Sequence, residues 1–241
     1  MTRAFSIEAV VKAYGRRPVL KAASVWARSG SVTVVLGRNG CGKSTLLRIG
    51  AGVLAPDAGT VHYAGRVYPR PRLDVLARQG LFFLPDRHLL SARWTLRQHV
   101  EAFAWRFDDA GAARALARLR LEERLDQRPA ELSGGERRRA ELALAMMRRP
   151  RCLLADEPFA GINPSDGEAL AAALREMARG GCAIVVTGHE VPQLLALADS
   201  VVWMVAGTTH GLGTPAEAES HSQFRREYLG PGWRGPEAGR P

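Results

Sequence analysis

Lysine is nearly missing from this chain: of its 34 basic residues only Lys12, Lys21 and Lys43 are lysines, and the rest are arginines spread from end to end. A bias of that kind is a compositional habit. The formal charge of +10 therefore points less strongly to nucleic acid or to an anionic membrane surface than a clustered charge would. Cysteine is also scarce. Cys41, Cys152 and Cys182 are odd in number, far apart and without metal-ligand spacing, which excludes a disulfide framework and a zinc site. Their expected state is reduced and mostly buried. No stretch approaches the roughly 18 apolar residues of a membrane span, and the opening MTRAFSIEAVVKAYGRRP has no uninterrupted apolar core of a signal peptide. The chain is expected in the cytoplasm. There is no internal repeat.

What the chain does have is enough apolar sequence, 46% of 241 residues, to bury a sizeable core in one large domain or two small ones. Phe5, Ile7, Ala9 and Val11 alternate with polar or small residues as in a half-buried strand, and SVTVVL at Ser31 to Leu36 reads as a buried strand ending in glycine. A helix is expected after Lys43, a turn at Pro56 to Gly59, and strands around Val61 to Tyr63 and at Leu81 to Leu84. From Thr95, which forms a capping box with Gln98, Ala/Leu/Arg-rich sequence predicts inserted helices to about Gln127. Beyond it come a strand at Cys152 to Ala155, a helix begun by Asn163 and Pro164 and closed by Gly180 and Gly181, the strand CAIVVT, a short helix and the strand VVWMV. Alternation of this kind means an α/β fold with a largely parallel sheet. The final GPGWRGPEAGRP is rich in glycine and proline and is expected to be disordered. Arg137 to Arg139, with Arg148, Arg149 and Arg151, flank an apolar helical segment and read as a solvated face. Nucleic acid is not expected as a partner.

Four stretches carry chemistry. GRNGCGKST follows a buried strand and opens a helix, the setting a phosphate-binding loop requires. Gly37, Arg38, Asn39, Gly40, Cys41 and Gly42 can curl backbone amides round an anion, Lys43 can reach the outer phosphates, Ser44 can ligate Mg²⁺, and Thr45 continues the helix whose dipole favours the anion. The plainer reading, a glycine turn capping a helix, does not account for the full spacing and the lysine together. Cys41 within the loop is either a thiolate favoured by the helix dipole and Lys43 or a small residue filling a small space. LSGGE, with Ser133, Gly134 and Gly135, is a helix cap in its own right, because Ser133 and Glu136 form a capping box, and a second anion-facing helix start as well. One chain rarely needs two such surfaces unless two copies sandwich a nucleotide. CLLADEP puts Asp156 and Glu157 at the carboxyl end of an apolar strand, where Asp156 can hold Mg²⁺ through water and Glu157 can orient or deprotonate a water. His189 of TGHE follows the next strand and reaches the same edge.

In that order the four stretches resemble the Walker A, signature, Walker B and switch-histidine motifs of the ATP-binding cassette family, over almost the whole chain. The resemblance implies a P-loop, RecA-like α/β core with an antiparallel β-subdomain and a helical subdomain, the latter at about 87–131. The cassette is expected to span 1–230, with a flexible tail at 231–241. It implies ATP and Mg²⁺ as cofactors, Tyr14 stacked on adenine, Glu157 as the catalytic carboxylate with Lys43 and His189, and Ser133 and Gly135 on the γ-phosphate of the opposite subunit. It also implies work as a homodimer or heterodimer of ATPase subunits with separate transmembrane permease subunits, on the cytoplasmic face of the inner membrane. EPFAGINP and REYLG look like the ATPases of branched-chain amino-acid uptake and lipopolysaccharide export. Two positions depart from the pattern: Asn163 stands where many cassettes have the D-loop aspartate, and Asp86 of FLPDRH where the family has the Q-loop glutamine. Asp86 is expected as an active-site ligand reaching the metal through water, the alternative being a solvated loop carboxylate with the sensing role moved elsewhere. Two other classes fit the sequence less well. A soluble cassette remodelling protein or nucleic-acid complexes would suit the charge, but there is no long heptad insertion and no aromatic basic strip. A module that binds ATP without hydrolysing it is opposed by Lys43, Glu157 and His189.

Overall fold

In the computed structural model, which describes residues 3–87, 89–107, 111–230, 232, 233 and 235, the framework is a six-stranded sheet. Its strands are β3 (Val32–Leu36), β6 (Leu81–Leu84), β7 (Cys152–Ala155), β8 (Ala183–Gly188), β9 (Ser200–Val205) and β10 (Thr208–Gly213), in the order β10-β9-β3-β8-β7-β6. All neighbours pair in parallel except β9 with β10. β3 and β8 are buried at every residue, as a parallel sheet covered on both faces demands. Side chains alternate between the two faces, so the same strands feed two cores. Val32, Val34 and Leu36 of β3, with Leu153, Ala155, Ile184 and Val186, pack under α5 (Gly134–Arg148), α6 (Pro164–Arg179) and α7 (Val191–Leu197). Val35, Leu154 and Val185 face the other way, onto α1 (Lys43–Gly50) and the antiparallel sheet made by β1 (Arg3–Tyr14), β2 (Arg17–Arg28), β4 (Ala58–Tyr63) and β5 (Arg66–Tyr68), beside α2 (Leu73–Arg78).

Between β6 and β7 the chain leaves the sheet for α3 (Leu96–Phe107) and α4 (Ala112–Arg118), which pack on α5. The Thr95–Gln98 capping box forms in both directions. After β10, α8 (Pro215–Ser220), the short turn α9 (Ser222–Phe224) and a wider helical turn at Arg225–Leu229 return to the sheet edge. Phe224 stacks there between Trp203 and Tyr228. Residue 231, residue 234 and residues 236–241 of the expected tail lie outside the described residues, and so does His88 of FLPDRH. Within that tail Trp233 donates its indole N–H to Glu219 at 3.0 Å. Among the described residues no helix is long and apolar enough to cross a membrane.

Two expectations fail for identifiable reasons. In β1 the alternation breaks at Ala9, which sits at φ +49° where the register with β2 shifts. Val10, not Val11, is fully buried in consequence. The arginines of α5 are not a common solvated face: Arg138 and Arg139 are buried, whereas Arg137 is exposed. Each buried guanidinium has specific acceptors, described below, which is the condition for burying it.

The N-terminus of α5 holds a complete capping box: Ser133 accepts from the Glu136 amide while Glu136 accepts from the Ser133 amide at 2.8 Å. The Arg124 side chain, at 2.7 Å, is the larger of the influences that pull the Glu136 carboxyl down to about 2, with the Ser133 amide second. A depressed carboxyl contributes stability that is whole above its ordinary value and is lost as pH falls toward the folded one. Glu136→Ala is thus expected to cost about 1 kcal/mol at pH 7. Thermal melts should show that difference shrinking by pH 3.

Candidate active site

The carboxyl ends of β3, β6, β7 and β8 lie side by side, and the loops that leave them line a cavity of about 760 Å³. That is where open α/β sheets form ligand sites. Asn39, Gly40 and Gly42 come from the loop after β3 and Lys43, Ser44 and Thr45 from the first turn of α1, Asp86 and Arg87 from the loop after β6, Glu157 from that after β7 and His189 from that after β8. Gly42 shows why the loop needs glycine: it lies at φ +113°, and a Cβ would approach Leu20 at 2.8 Å and Met204 at 2.9 Å.

Lys43 is buried and fully engaged. Its ammonium donates to the Gly37 carbonyl at 2.8 Å and sits 3.1 Å from Glu157. Glu157 has φ +47°, a left-handed conformation that costs a non-glycine residue about 1–2 kcal/mol, and it aims its carboxylate at two partners. One is Lys43. The other is His189, whose Nδ1 lies 2.8 Å from Glu157 Oε2 while Nε2 lies 3.3 Å from Glu190. The imidazole is therefore held between two carboxylates.

Asp156 is completely buried at the end of β7. Its Oδ1 accepts from Thr187 at 2.7 Å and from Ser44 at 3.1 Å, while Oδ2 is buried with no hydrogen-bond partner. Burial, reinforced by the charges of Asp86 and Glu157, raises its carboxyl above the usual range against the lowering effect of the two hydroxyls. A buried carboxylate oxygen without a donor, next to a serine hydroxyl and facing a loop of amides, is a donor set suited to a hard divalent cation. Arg138 fixes the surrounding backbone: it donates to the carbonyls of Asp156 and Pro85, both at 2.6 Å, and pairs with Glu141 at 2.7 Å.

Not every expected residue is drawn in. Asp86 lines the cavity, half-exposed, with Arg48 and Arg87 both 3.9 Å away. Gly134 lines it, whereas Ser133, Gly135 and Tyr14 do not; Tyr14 is 51% exposed at the end of β1. Desolvation outweighs Lys43 and raises the pKa of Cys41, whose sulfur fills the space beside Gly37, where a Cβ would stand 2.7 Å away. Thr187, Arg138 and Glu190 are further residues of the site, to which the four motifs assign no role. Thr187 had a signal, a hydroxyl closing an otherwise apolar strand; Arg138 had none, because its acceptors lie on loops distant in sequence.

A glycine loop between a buried strand and a helix, a buried lysine, a serine on a buried aspartate, and a carboxylate paired with a histidine define a P-loop nucleoside triphosphatase. The model of the ABC transporter family matches residues 20–160, and the chain belongs to that family. It is 36% identical over 234 residues to the phosphonates import ATP-binding protein of Thiobacillus denitrificans, covering 91% of this chain and 90% of the relative. With the lipopolysaccharide export system ATP-binding protein of Acidithiobacillus ferridurans it shares 30% over 236 residues, 95% of this chain and 98% of the other. Among solved structures, a nucleotide-free ATP-binding cassette from an ABC transporter superposes with a TM-score of 0.80 at 22% identity, over 90% of this chain and 94% of that one. A dimeric bacterial ABC transporter cassette gives 0.77 at 23%, over 86% and 98%. The fold is thus the cassette fold, and the chain is an ATP-binding, ATP-hydrolysing subunit of a transporter.

A raised carboxyl contributes most to stability below its unfolded pKa, and that contribution is lost as pH rises through the folded value. Asp156→Asn, which keeps an acceptor for Thr187 and Ser44 and removes the buried charge, is accordingly expected to melt no lower than wild type at pH 7.5. Its advantage should vanish toward pH 4 while ATP turnover is lost at every pH. A lower melting temperature at pH 7.5 would count against the burial argument.

Proposed function

We propose that this chain hydrolyses Mg²⁺-ATP as one half of a nucleotide sandwich docked on permease subunits at the cytoplasmic face of the membrane. The observation that carries this reading is the unpaired buried oxygen of Asp156, bonded through its other oxygen to Ser44, which lines one cavity with Lys43, Glu157 and His189. Ser44 and Asp156 would hold the metal, which supplies positive charge to the phosphate oxygens during transfer. Lys43 binds the outer phosphates together with the amides of Gly37 to Gly42. A triphosphate competes with Glu157 for Lys43, and Glu157, released, orients or deprotonates the attacking water. His189 keeps Glu157 in place from the other side. Tyr14 stacks on adenine, and Ser133 and Gly135 serve the nucleotide of the second copy, consistent with their lying outside their own subunit's cavity.

Asp86 acts as a sensor of the metal and its water. Arg48 and Arg87 moderate its charge, and that charge in turn disfavours ionisation of Asp156. The helical segment that follows carries its state to the permease. Relatives whose names describe phosphonate import and lipopolysaccharide export support a transporter role for this chain without choosing a cargo.

Glu157→Gln should bind ATP, lose turnover by a factor of about 10²–10⁴, and accumulate as a dimer with Mg²⁺-ATP in light scattering. A variant that stays monomeric at high protein concentration would overturn the sandwich for this chain. Asp86→Gln and Asp86→Ala should each change the Mg²⁺ concentration needed for half-maximal turnover; unchanged rate and Mg²⁺ dependence in both would remove Asp86 from the site.

A further inference from the structure

One acid outside the catalytic cluster joins three parts of the molecule. Asp166, in the first turn of α6, has a side chain only 13% exposed. Its Oδ2 accepts from the Asn163 side-chain amide at 2.7 Å, and Asn163 in return accepts from the Asp166 backbone N–H at 2.9 Å. Its Oδ1 lies 2.8 Å from Arg139 Nε of α5. That contact is off the line of the N–H, so it is an ion pair more than a hydrogen bond. Arg139 donates onward to the carbonyls of Leu119 and Arg120 at the end of α4. The carboxylate also lies directly over Gly135: a Cβ at that position would run into it.

These contacts explain two residues at once. Gly135 leaves room for its own subunit's Asp166, whose carboxylate occupies the space where a Cβ would stand. Asn163 must carry an amide because an aspartate there would set a second carboxylate at hydrogen-bond distance from the first, a repulsive pair in a partly buried place. Asn163 ends the loop that follows Glu157, and Gly135 opens the signature helix. Asp166 bonds the first and, through Arg139, is tied to the helix that the second opens.

We propose that Asp166 is a positioning residue that locks the Ser133–Gly135 turn to the loop ending at Asn163, so that the two surfaces a subunit offers to its partner's nucleotide move as one. The inference rests on the sandwich reading above. It assigns Asp166 to pairing of the subunits and not to nucleotide binding within one subunit, because none of its contacts touches Lys43, Ser44 or Asp156.

The test puts Asp166→Ala and Asp166→Asn into the Glu157→Gln background of the full-length chain. Nucleotide affinity of the monomer is measured by calorimetry, and Mg²⁺-ATP-driven dimerisation by sedimentation. Losing a partly buried bond to a charged group should weaken dimerisation by about tenfold or more in Asp166→Ala, about 1.4 kcal/mol per factor of ten, with monomer ATP affinity within about twofold of the parent. Asp166→Asn, which keeps an acceptor for Asn163 and loses the charge facing Arg139, should fall between. Equal dimerisation in the parent and both variants would overturn the inference and leave the sandwich standing. ATP affinity falling in step with dimerisation would reduce Asp166 to a general stabiliser and overturn it too. If the Glu157→Gln parent itself stays monomeric, the sandwich reading falls and takes this inference with it.

Discussion

A carboxylate buried at the end of a parallel strand is the constraint around which the rest is arranged. Asp156 has no exposure, accepts two hydroxyls on one oxygen and none on the other, and is held by its own backbone carbonyl through Arg138. Leaving a carboxylate in such a place is costly unless something charged meets it, and the surrounding residues read as the preparation for that meeting. Ser44 comes from the phosphate loop, Thr187 from the neighbouring strand and Arg138 from the signature helix. Three elements are thereby fixed on one atom group. A shift in any of them is felt at the acid.

Arg138 gives the arrangement its reach. One buried guanidinium touches the carbonyls of Pro85, Asp156 and Pro158 and the carboxylate of Glu141. It connects α5 to the loops carrying both Asp86 and Glu157, so the helical segment cannot rotate against the sheet without stretching charge-assisted bonds. Glu141 meets the opposite problem: burial raises its carboxyl, and Arg138 is the main influence pulling it back. Neither residue would be tolerated at such low exposure alone. Arg139, the next residue of α5, repeats the device with Asp166 of α6.

The strained backbone at Glu157 fits the same scheme. Its left-handed conformation turns the carboxylate back toward Lys43, and its own backbone N–H donates to the Thr187 hydroxyl at 3.1 Å. Strain of this kind persists where neighbours over-determine it. Here Lys43 and His189 do so from two sides.

How much was legible beforehand follows from the range of each interaction. The phosphate loop, both capping boxes, the alternation of strand and helix and the acids after β7 are encoded within about ten residues, where spacing alone fixes which groups meet, and so they could be read directly. Local pattern failed where the decisive partner was distant. The bulge at Ala9 depends on pairing with β2, the burial of Arg138 on the carbonyls of Pro85 and Asp156, and the raised pKa of the Cys41 thiol on burial that outweighs a lysine two residues away. Asn163 shows the division within a single residue. The sequence marks it as a helix cap, since a side-chain oxygen three residues before a free amide needs nothing else. Only the tertiary structure, by holding the Asp166 carboxylate between Arg139 and Gly135, shows what the amide nitrogen of the cap is bonded to.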